Sequence, residues 1–325
     1  MTSRRCLRLS AAVATALVLA ACEGASSDPE GPLTTGASDS VANKCEPAAQ
    51  MPTGRIAYTH YAEDGATAIY LMDPDGSNAV CLVDTAGNDF AAAWSPDGTQ
   101  VVFNSDAAGD QDLYVVNADG SGLGSLLVAP GDQGLAGWSP DGETILYVEY
   151  AEVLMDSPGV IRSVGVDGEG AKTLIASGEP FPYVDEPRWS PTGERVLFLA
   201  DRGGGWRDLL TMRPDGSQVK VLLERESGLD GGGIAWSPDG TRIAFQSDLD
   251  GGCIYQINAD GTGLRKLTSG CVEGLGITWS PDGTRIAWGA TDNGPADAYV
   301  MNADGSNHVA IVDSADAAFL AWQPV

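Results

Sequence analysis

The chain of 325 residues and 33.6 kDa carries 45 Asp and Glu against 18 Lys and Arg, a formal net charge of −27. That surplus repels phosphate backbones and excludes nucleic-acid binding through them, and two histidines, His60 and His308, are too few for a multi-histidine metal site. With 43% apolar residues the chain can bury a core, while 42 Gly and 18 Pro argue for a turn-rich fold over a helical bundle.

Arg4, Arg5 and Arg8 lead into an apolar run, Leu9 to Ala21, too short to span a bilayer. The run ends in Leu19-Ala20-Ala21-Cys22, which resembles a bacterial lipobox: small residues ahead of a cysteine. That resemblance implies a signal peptide over residues 1–21, cleavage before Cys22 and acylation of Cys22. Ser3-Arg4-Arg5 matches a twin-arginine export motif in part. Residues 22–50 are mostly Gly, Ser, Pro, Asp and Ala, cannot bury enough surface to offset chain entropy, and read as a flexible tether. The protein is therefore expected to be exported and lipid-anchored in the bacterial cell envelope, on its periplasmic or extracellular face, touching the membrane only through the lipid.

Beyond the tether the sequence repeats. Trp-Ser-Pro-Asp-Gly stands at 94–98, 138–142, 236–240 and 279–283, with Trp189-Ser190-Pro191-Thr192-Gly193 as a variant and Trp322-Gln323-Pro324 as a truncated copy. Each turn is followed by a short β-branched and aromatic run such as Val101-Val102-Phe103 or Ile243-Ala244-Phe245, and then by a second run ending in Asp-Gly, at Asp75-Gly76, Asp119-Gly120, Asp167-Gly168, Asp215-Gly216, Asp260-Gly261 and Asp304-Gly305. Pro presets φ, Asp accepts local backbone N–H groups and Gly takes φ > 0, so these segments are hairpin turns. Each unit of about 45 residues thus holds four strands, A to D, which is the pattern of a propeller blade.

The first unit begins at strand B, near Ile56-Ala57-Tyr58, and lacks strand A, whereas Trp322 stands alone at the C-terminus. Phe319 to Gln323 is expected to supply the missing strand and close an all-β, six-bladed propeller of four-stranded antiparallel blades over residues 51–325. The Trp-Ser-Pro-Asp-Gly and Asn-Ala-Asp-Gly segments resemble TolB-like propeller repeats. The resemblance implies a stand-alone propeller, with only the tether ahead of it and without the α/β domain that precedes the propeller in TolB itself.

Four cysteines remain after Cys6 and Cys22: Cys45, Cys81, Cys253 and Cys271. An even count in an exported chain points to two disulfides, with three connectivities open. Cys253 begins strand C of blade 5 and Cys271 follows strand D, at the same end of one hairpin, which leaves Cys45 to staple the tether to Cys81. Each bridge is worth roughly 3–4 kcal/mol by loop entropy.

Strand direction sorts the loops. The A–B and C–D turns share one face and are regular; the B–C and D–A loops share the other and vary. Departures from the repeat gather in blades 3 and 4, in the loops Glu149 to Gly159, Gly178 to Arg188 and Asp201 to Asp208, and make Phe181, Tyr183, Trp206 and Arg207 a candidate binding patch. The alternative is that these aromatics fold back on their own blades. A second regularity is one acid four to six residues before each Trp: Asp89, Asp132, Asp185, Asp230, Glu273 and Asp316. With strand A innermost, these acids are expected to ring the channel mouth and to draw cations or a basic peptide, unless they turn away to cap backbone N–H groups.

No Gly-x-Ser-x-Gly nucleophile motif is present, and the Asp-Gly turns need no metal to explain them. Asp106, Asp110 and Asp112, and Asp248 and Asp250, lie in B–C loops and keep calcium open as a ligand, with no other cofactor implied. The reading that follows is a non-catalytic, monomeric module binding an envelope protein or a basic peptide. The alternative is a six-bladed hydrolase or lactonase with a carboxylate-bound divalent cation in the channel. A carbohydrate surface on Phe181, Tyr183 and Trp206 is a third.

Overall fold

The computed structural model describes residues 41–47, 53–62, 64–150, 159–178, 180–203, 207–224, 233–247, 252–268, 273–291, 296–312 and 317–324. The chain divides into residues 1–33 and 34–325, and the described residues all belong to the second unit. Cys22, the segment expected to be a signal peptide and most of the expected tether lie outside them.

Six four-stranded antiparallel sheets form the blades. Blade 2 is β4 (Asp89–Trp94), β5 (Gln100–Ser105), β6 (Asp112–Asn117) and β7 (Gly124–Leu127). Blade 3 is β8 (Asp132–Trp138), β9 (Thr144–Tyr150), β10 (Gly159–Gly165) and β11 (Lys172–Ala176). Blade 4 is β12 (Tyr183–Trp189), β13 (Val196–Asp201), β14 (Arg207–Met212) and β15 (Lys220–Leu223). Blade 5 is β16 (Ile234–Trp236), β17 (Arg242–Ser247), β18 (Cys253–Asn258) and β19 (Arg265–Lys266). Blade 6 is β20 (Glu273–Trp279), β21 (Arg285–Thr291), β22 (Ala296–Asn302) and β23 (Val309–Val312). Blade 1 joins the two ends of the chain, β1 (Ile56–Tyr61), β2 (Thr67–Met72) and β3 (Val80–Val83) receiving β24 (Ala317–Trp322) as strand A, with Ile56 opposite Trp322 and Ala57 opposite Ala321. Successive A strands pack on one another all the way round, β20 on β24 and β24 on β4, so the ring is closed.

The apolar runs sort into one buried cluster between each pair of neighbouring blades. Leu71 and Leu82 of blade 1 meet Val101 and Phe103 of blade 2, and Leu146 and Val148 of blade 3 meet Phe198 and Leu210 of blade 4. The Trp of the repeat belongs to this inter-blade layer. Trp94 Nε1 donates to Ala321 O, Trp138 Nε1 to Ala93 O and Trp279 Nε1 to Ala235 O, each on strand A of the preceding blade. Arg242 and Arg285 lie over the rings of Trp279 and Trp322 from the preceding blade, 4.9 and 4.8 Å from the ring centres.

The turns behave as their sequences dictate. Asp97 Oδ1 accepts the Ser95 hydroxyl and the Thr99 N–H, and Asp141, Asp239 and Asp282 repeat the arrangement. In blade 4 Thr192 holds the Asp position and manages only long contacts, 3.4 Å from Ser190 Oγ and from the Glu194 N–H. Thr192→Asp is expected to stabilise the protein by about 0.5–1 kcal/mol in urea unfolding; an unchanged midpoint would show that the turn is not limited by this contact.

The C–D glycines do more than supply φ > 0. Gly216 (φ 79°) sits so close to blade 3 that a Cβ there would fall 2.1 Å from Leu174 O. Equivalent contacts bring Gly168 against Leu126 O and Gly261 against Leu222 O. Each turn therefore abuts the outer strand of the blade before it. Gly216→Ala is expected to cost about 2 kcal/mol or more, strain and displacement together; a loss under ~0.5 kcal/mol in urea unfolding would mean the blades part easily there.

Candidate functional site

The strand ends at the B–C and D–A face place one rung of blade 4 together: Tyr183 on β12 pairs with Asp201 on β13, which pairs with Arg207 on β14. Two residues into β12, Asp185 is buried and accepts three hydrogen bonds. Tyr150 Oη, from the end of β9 in blade 3, donates to Oδ1 at 2.7 Å, Tyr183 Oη donates to Oδ2 at 2.7 Å, and the Glu186 N–H donates to Oδ1 at 2.8 Å. The Arg207 guanidinium lies over the Tyr183 ring, 4.4 Å from its centre, and 3.9 Å from Asp185 Oδ2. Burial, reinforced by the neighbouring Asp185 charge, pushes both tyrosine hydroxyls well above their ordinary range, so they remain donors. Glu186 is buried with a left-handed backbone (φ 50°) and one oxygen, Oε2, without a hydrogen bond. Burial pushes its carboxyl up, with Arg188 pulling the other way.

Of the candidate patch, Tyr183 and Arg207 are brought into contact. Phe181 bridges to Gly178 and stands edge-on to Phe198, 6.4 Å between ring centres, half-buried over its own blade. Trp206 lies outside the described residues. Tyr150, Asp185 and Glu186 were not part of the patch read from sequence. Tyr150 lies a blade away, and nothing in its local pattern marks it.

Three members of the acidic series are described with their side chains, and all three are buried at the start of strand A. Asp89 accepts the Thr85 N–H and hydroxyl, both at 2.7 Å, Asp132 accepts the Gln111 N–H at 3.1 Å, and Asp185 is held as above. They take the capping alternative: burial first of all raises Asp89 and Asp132 above the usual carboxylate range, and the loop donors pull back. Asp230, Asp316 and the Glu273 side chain lie outside the described residues. Among the loop acids, Asp106 accepts the Asn88 N–H and Asp110 the Gly131 N–H. Among the described residues no group of three or more His, Cys, Asp or Glu is placed to hold a metal ion. Asp248 and Asp250 lie outside them. A shallow cleft of about 400 Å³ lined by Thr144, Asp167, Glu169 and Lys172 sits at the opposite face, among the regular turns.

Cys45 and Cys81 are bonded, with their Cα atoms 5.7 Å apart, and this fastens the segment around Cys45 along blade 1. Asn43 completes the seam, donating to Leu82 O and accepting the Asp84 and Cys45 N–H groups, while the Lys44 N–H donates to Asp84 O. Cys253 is also disulfide-bonded, and Cys271 lies outside the described residues. His308 contacts Gly305 O at 2.7 Å and His60 packs on Tyr70; neither stands in a polar site.

A closed ring of six four-stranded blades, each ending its inner strand in a Trp-x-Pro turn whose Trp lies in the layer between blades, defines a six-bladed propeller built from sequence repeats. The chain belongs to the TolB beta propeller domain family, whose model matches residues 32–229. Among solved structures it is similar to TolB from Acinetobacter baumannii, with 19% identity, a TM-score of 0.72, and 84% of this chain and 67% of that one covered. The putative TolB from Agrobacterium tumefaciens gives 20% identity and a TM-score of 0.63, covering 84% of this chain and 100% of that one. A chain of a nidogen/laminin complex gives 12% and 0.67, covering 83% and 98%. These identities carry the fold alone. No curated protein matches the sequence.

Proposed function

We propose that this chain is an exported, lipid-anchored, non-catalytic propeller that binds a protein or peptide through the B–C and D–A loops of blades 3 and 4. The observation that carries the reading is the Tyr150–Asp185–Tyr183–Arg207 constellation: a pre-set, partly open polar platform where the loops depart from the repeat. A propeller of the same architecture belongs to a nidogen/laminin complex, which supports protein binding as a use of this scaffold. The Cys45–Cys81 bridge supports an oxidising compartment and hence export. Cys22 is the lipidation residue, and the protein works as a monomer.

The test uses the full chain with Cys22→Ser as bait in envelope extract, with and without chelator. Pro180→Arg together with Pro182→Arg, both exposed beside Tyr183, is expected to lower partner capture at least tenfold, whereas Glu194→Arg on the opposite face leaves it unchanged. Equal capture by both variants would remove the face assignment. Cys22→Ser itself is expected to move the protein from the membrane fraction to the soluble one, and no shift would remove the anchor. Chelator-sensitive turnover of a lactone or ester would replace this reading with a calcium-dependent hydrolase.

A further inference from the structure

Among the described residues, Arg207 stands apart from the other cations at this end of blade 4. Arg202 is engaged by Asp208 and Glu224, and Arg188 donates to Pro187 O. Arg207 has a ring under it and a carboxylate at 3.9 Å, beyond hydrogen-bond distance, and among the described residues none accepts a hydrogen bond from its guanidinium. Its side chain is 24% exposed, so part of it is open to solvent. Asp185 holds Tyr150 and the Glu186 N–H on Oδ1 and Tyr183 on Oδ2, and in this arrangement its Oδ2 stands 3.9 Å from the guanidinium.

We infer that Arg207 is the receptor for a carboxylate of the bound partner, taken by the fork of guanidinium donors that the protein leaves unused. The inference deepens the protein-binding reading and rests on it for the partner. Three features suit the site to this ligand. The stack on Tyr183 fixes the guanidinium plane in advance, so little side-chain entropy remains to be lost on binding. The Tyr183 ring is itself fixed by its hydroxyl on Asp185. The Asp185 charge is shared among three donors and lies 3.9 Å from the guanidinium, beyond hydrogen-bond distance, so the Arg207 N–H groups keep room for an incoming anion. A planar fork pairs with a carboxylate through two parallel hydrogen bonds, which an ammonium cannot reproduce.

The carboxylate belongs either to an acidic side chain or to a chain terminus, and three peptide probes separate these. Acetyl-Ala-Ala-Ala with a free terminus, its C-terminal amide, and amidated acetyl-Ala-Glu-Ala are titrated into the full chain while the Arg207 Nε–Hε resonance is followed by NMR. A saturable shift with one or both carboxylate peptides and none with the neutral amide is expected, and the responding peptide identifies the source. Arg207→Lys, checked for an unchanged melting temperature, is expected to weaken that binding at least tenfold, and Tyr183→Leu, which removes the stack, by about threefold or more. An Arg207 resonance that ignores both carboxylates, or equal affinity in Arg207→Lys, would overturn the proposal. Because the titration reads Arg207 directly, failed partner capture with a positive titration would remove the binding role and leave the site, and the reverse would remove the site alone.

Discussion

A chain lacking residues 318–325 is expected not to hold a folded ring. The deletion removes most of β24, so β1 loses its inner partner and its backbone groups become an open edge. It also removes Leu320 and Trp322, both buried in the cluster shared by blades 6 and 1. Loss of one large buried aromatic costs about 3–5 kcal/mol, against a total stability on the order of 5–15 kcal/mol for a domain. The turn adds to the loss. Gln323 Oε1 accepts the Arg55 N–H, its own N–H donates to Arg55 O, and its Nε2 donates to Gly98 O in blade 2, so one side chain ties three segments. Circular dichroism and size exclusion of the truncated chain should show aggregation or loss of the cooperative transition. Gln323→Ala is the graded version: it strands a buried donor and acceptor and is expected to cost about 2–3 kcal/mol. A truncation that elutes and melts like the parent would mean the ring is held shut elsewhere.

The blades were legible because each rests on local chemistry that repeats. The Trp-Ser-Pro-Asp-Gly turn states its own geometry in five residues, and the lone Trp322 implied the closing strand. What stayed hidden depends on contacts between blades. Three residues before each repeat Trp stands a left-handed residue, at a bulge of the inner strand in five blades and just ahead of β16 in blade 5: Ala91, Leu135, Glu186, Gly233, Gly276 and Phe319, with φ between 49° and 117°. Only two of the six are glycine, so the usual signal is weak, and it appears only when the units are aligned on Trp. The crowding explains the two: a Cβ on Gly276 would lie 2.8 Å from Phe319 Cα, and one on Gly233 2.9 Å from Ile277 N. The acids before each Trp were legible as a series, but their burial was not. Whether Asp89 faces a channel or caps Thr85 depends on how the preceding loop folds back, which no spacing encodes. The Tyr183–Arg207 contact crosses β13 within one blade, and Tyr150 reaches Asp185 from the preceding blade, so only the folded ring shows that these residues form one site.

Asp112→Asn is expected to make the protein more stable at pH 7 and to leave it nearly unchanged at pH 4. Asp112 opens β6, is 2% exposed, and has its carboxyl pushed up to about 6, by burial first and then by the charges of Asp110 and Asp132, with the Ala129 N–H pulling the other way. A carboxyl whose folded pKa lies above its unfolded value binds protons more tightly in the folded state. Its contribution is therefore fully present below about pH 4 and is lost as pH rises through about 6. A displacement of that size is worth about 2–3 kcal/mol at neutrality. The amide keeps an oxygen for the Ala129 N–H, 3.1 Å away, and carries no charge to desolvate, so the variant should recover most of that loss. The turn acids oppose this trend. Asp239 and Asp282 are held down to about 2, chiefly by the hydroxyls of Ser237 and Ser280, and they favour the fold above about pH 4 and cease to do so as pH falls through 2. They are exposed, so their share is small and salt-screened. The parent should thus be most stable in mildly acid solution, and Asp112→Asn should flatten the neutral side of the profile while leaving its acid side in place. Urea midpoints from pH 3 to 8 at fixed ionic strength test this, and a variant whose gain is the same at pH 4 and pH 7 would show that the Asp112 charge is not what the neutral protein strains against.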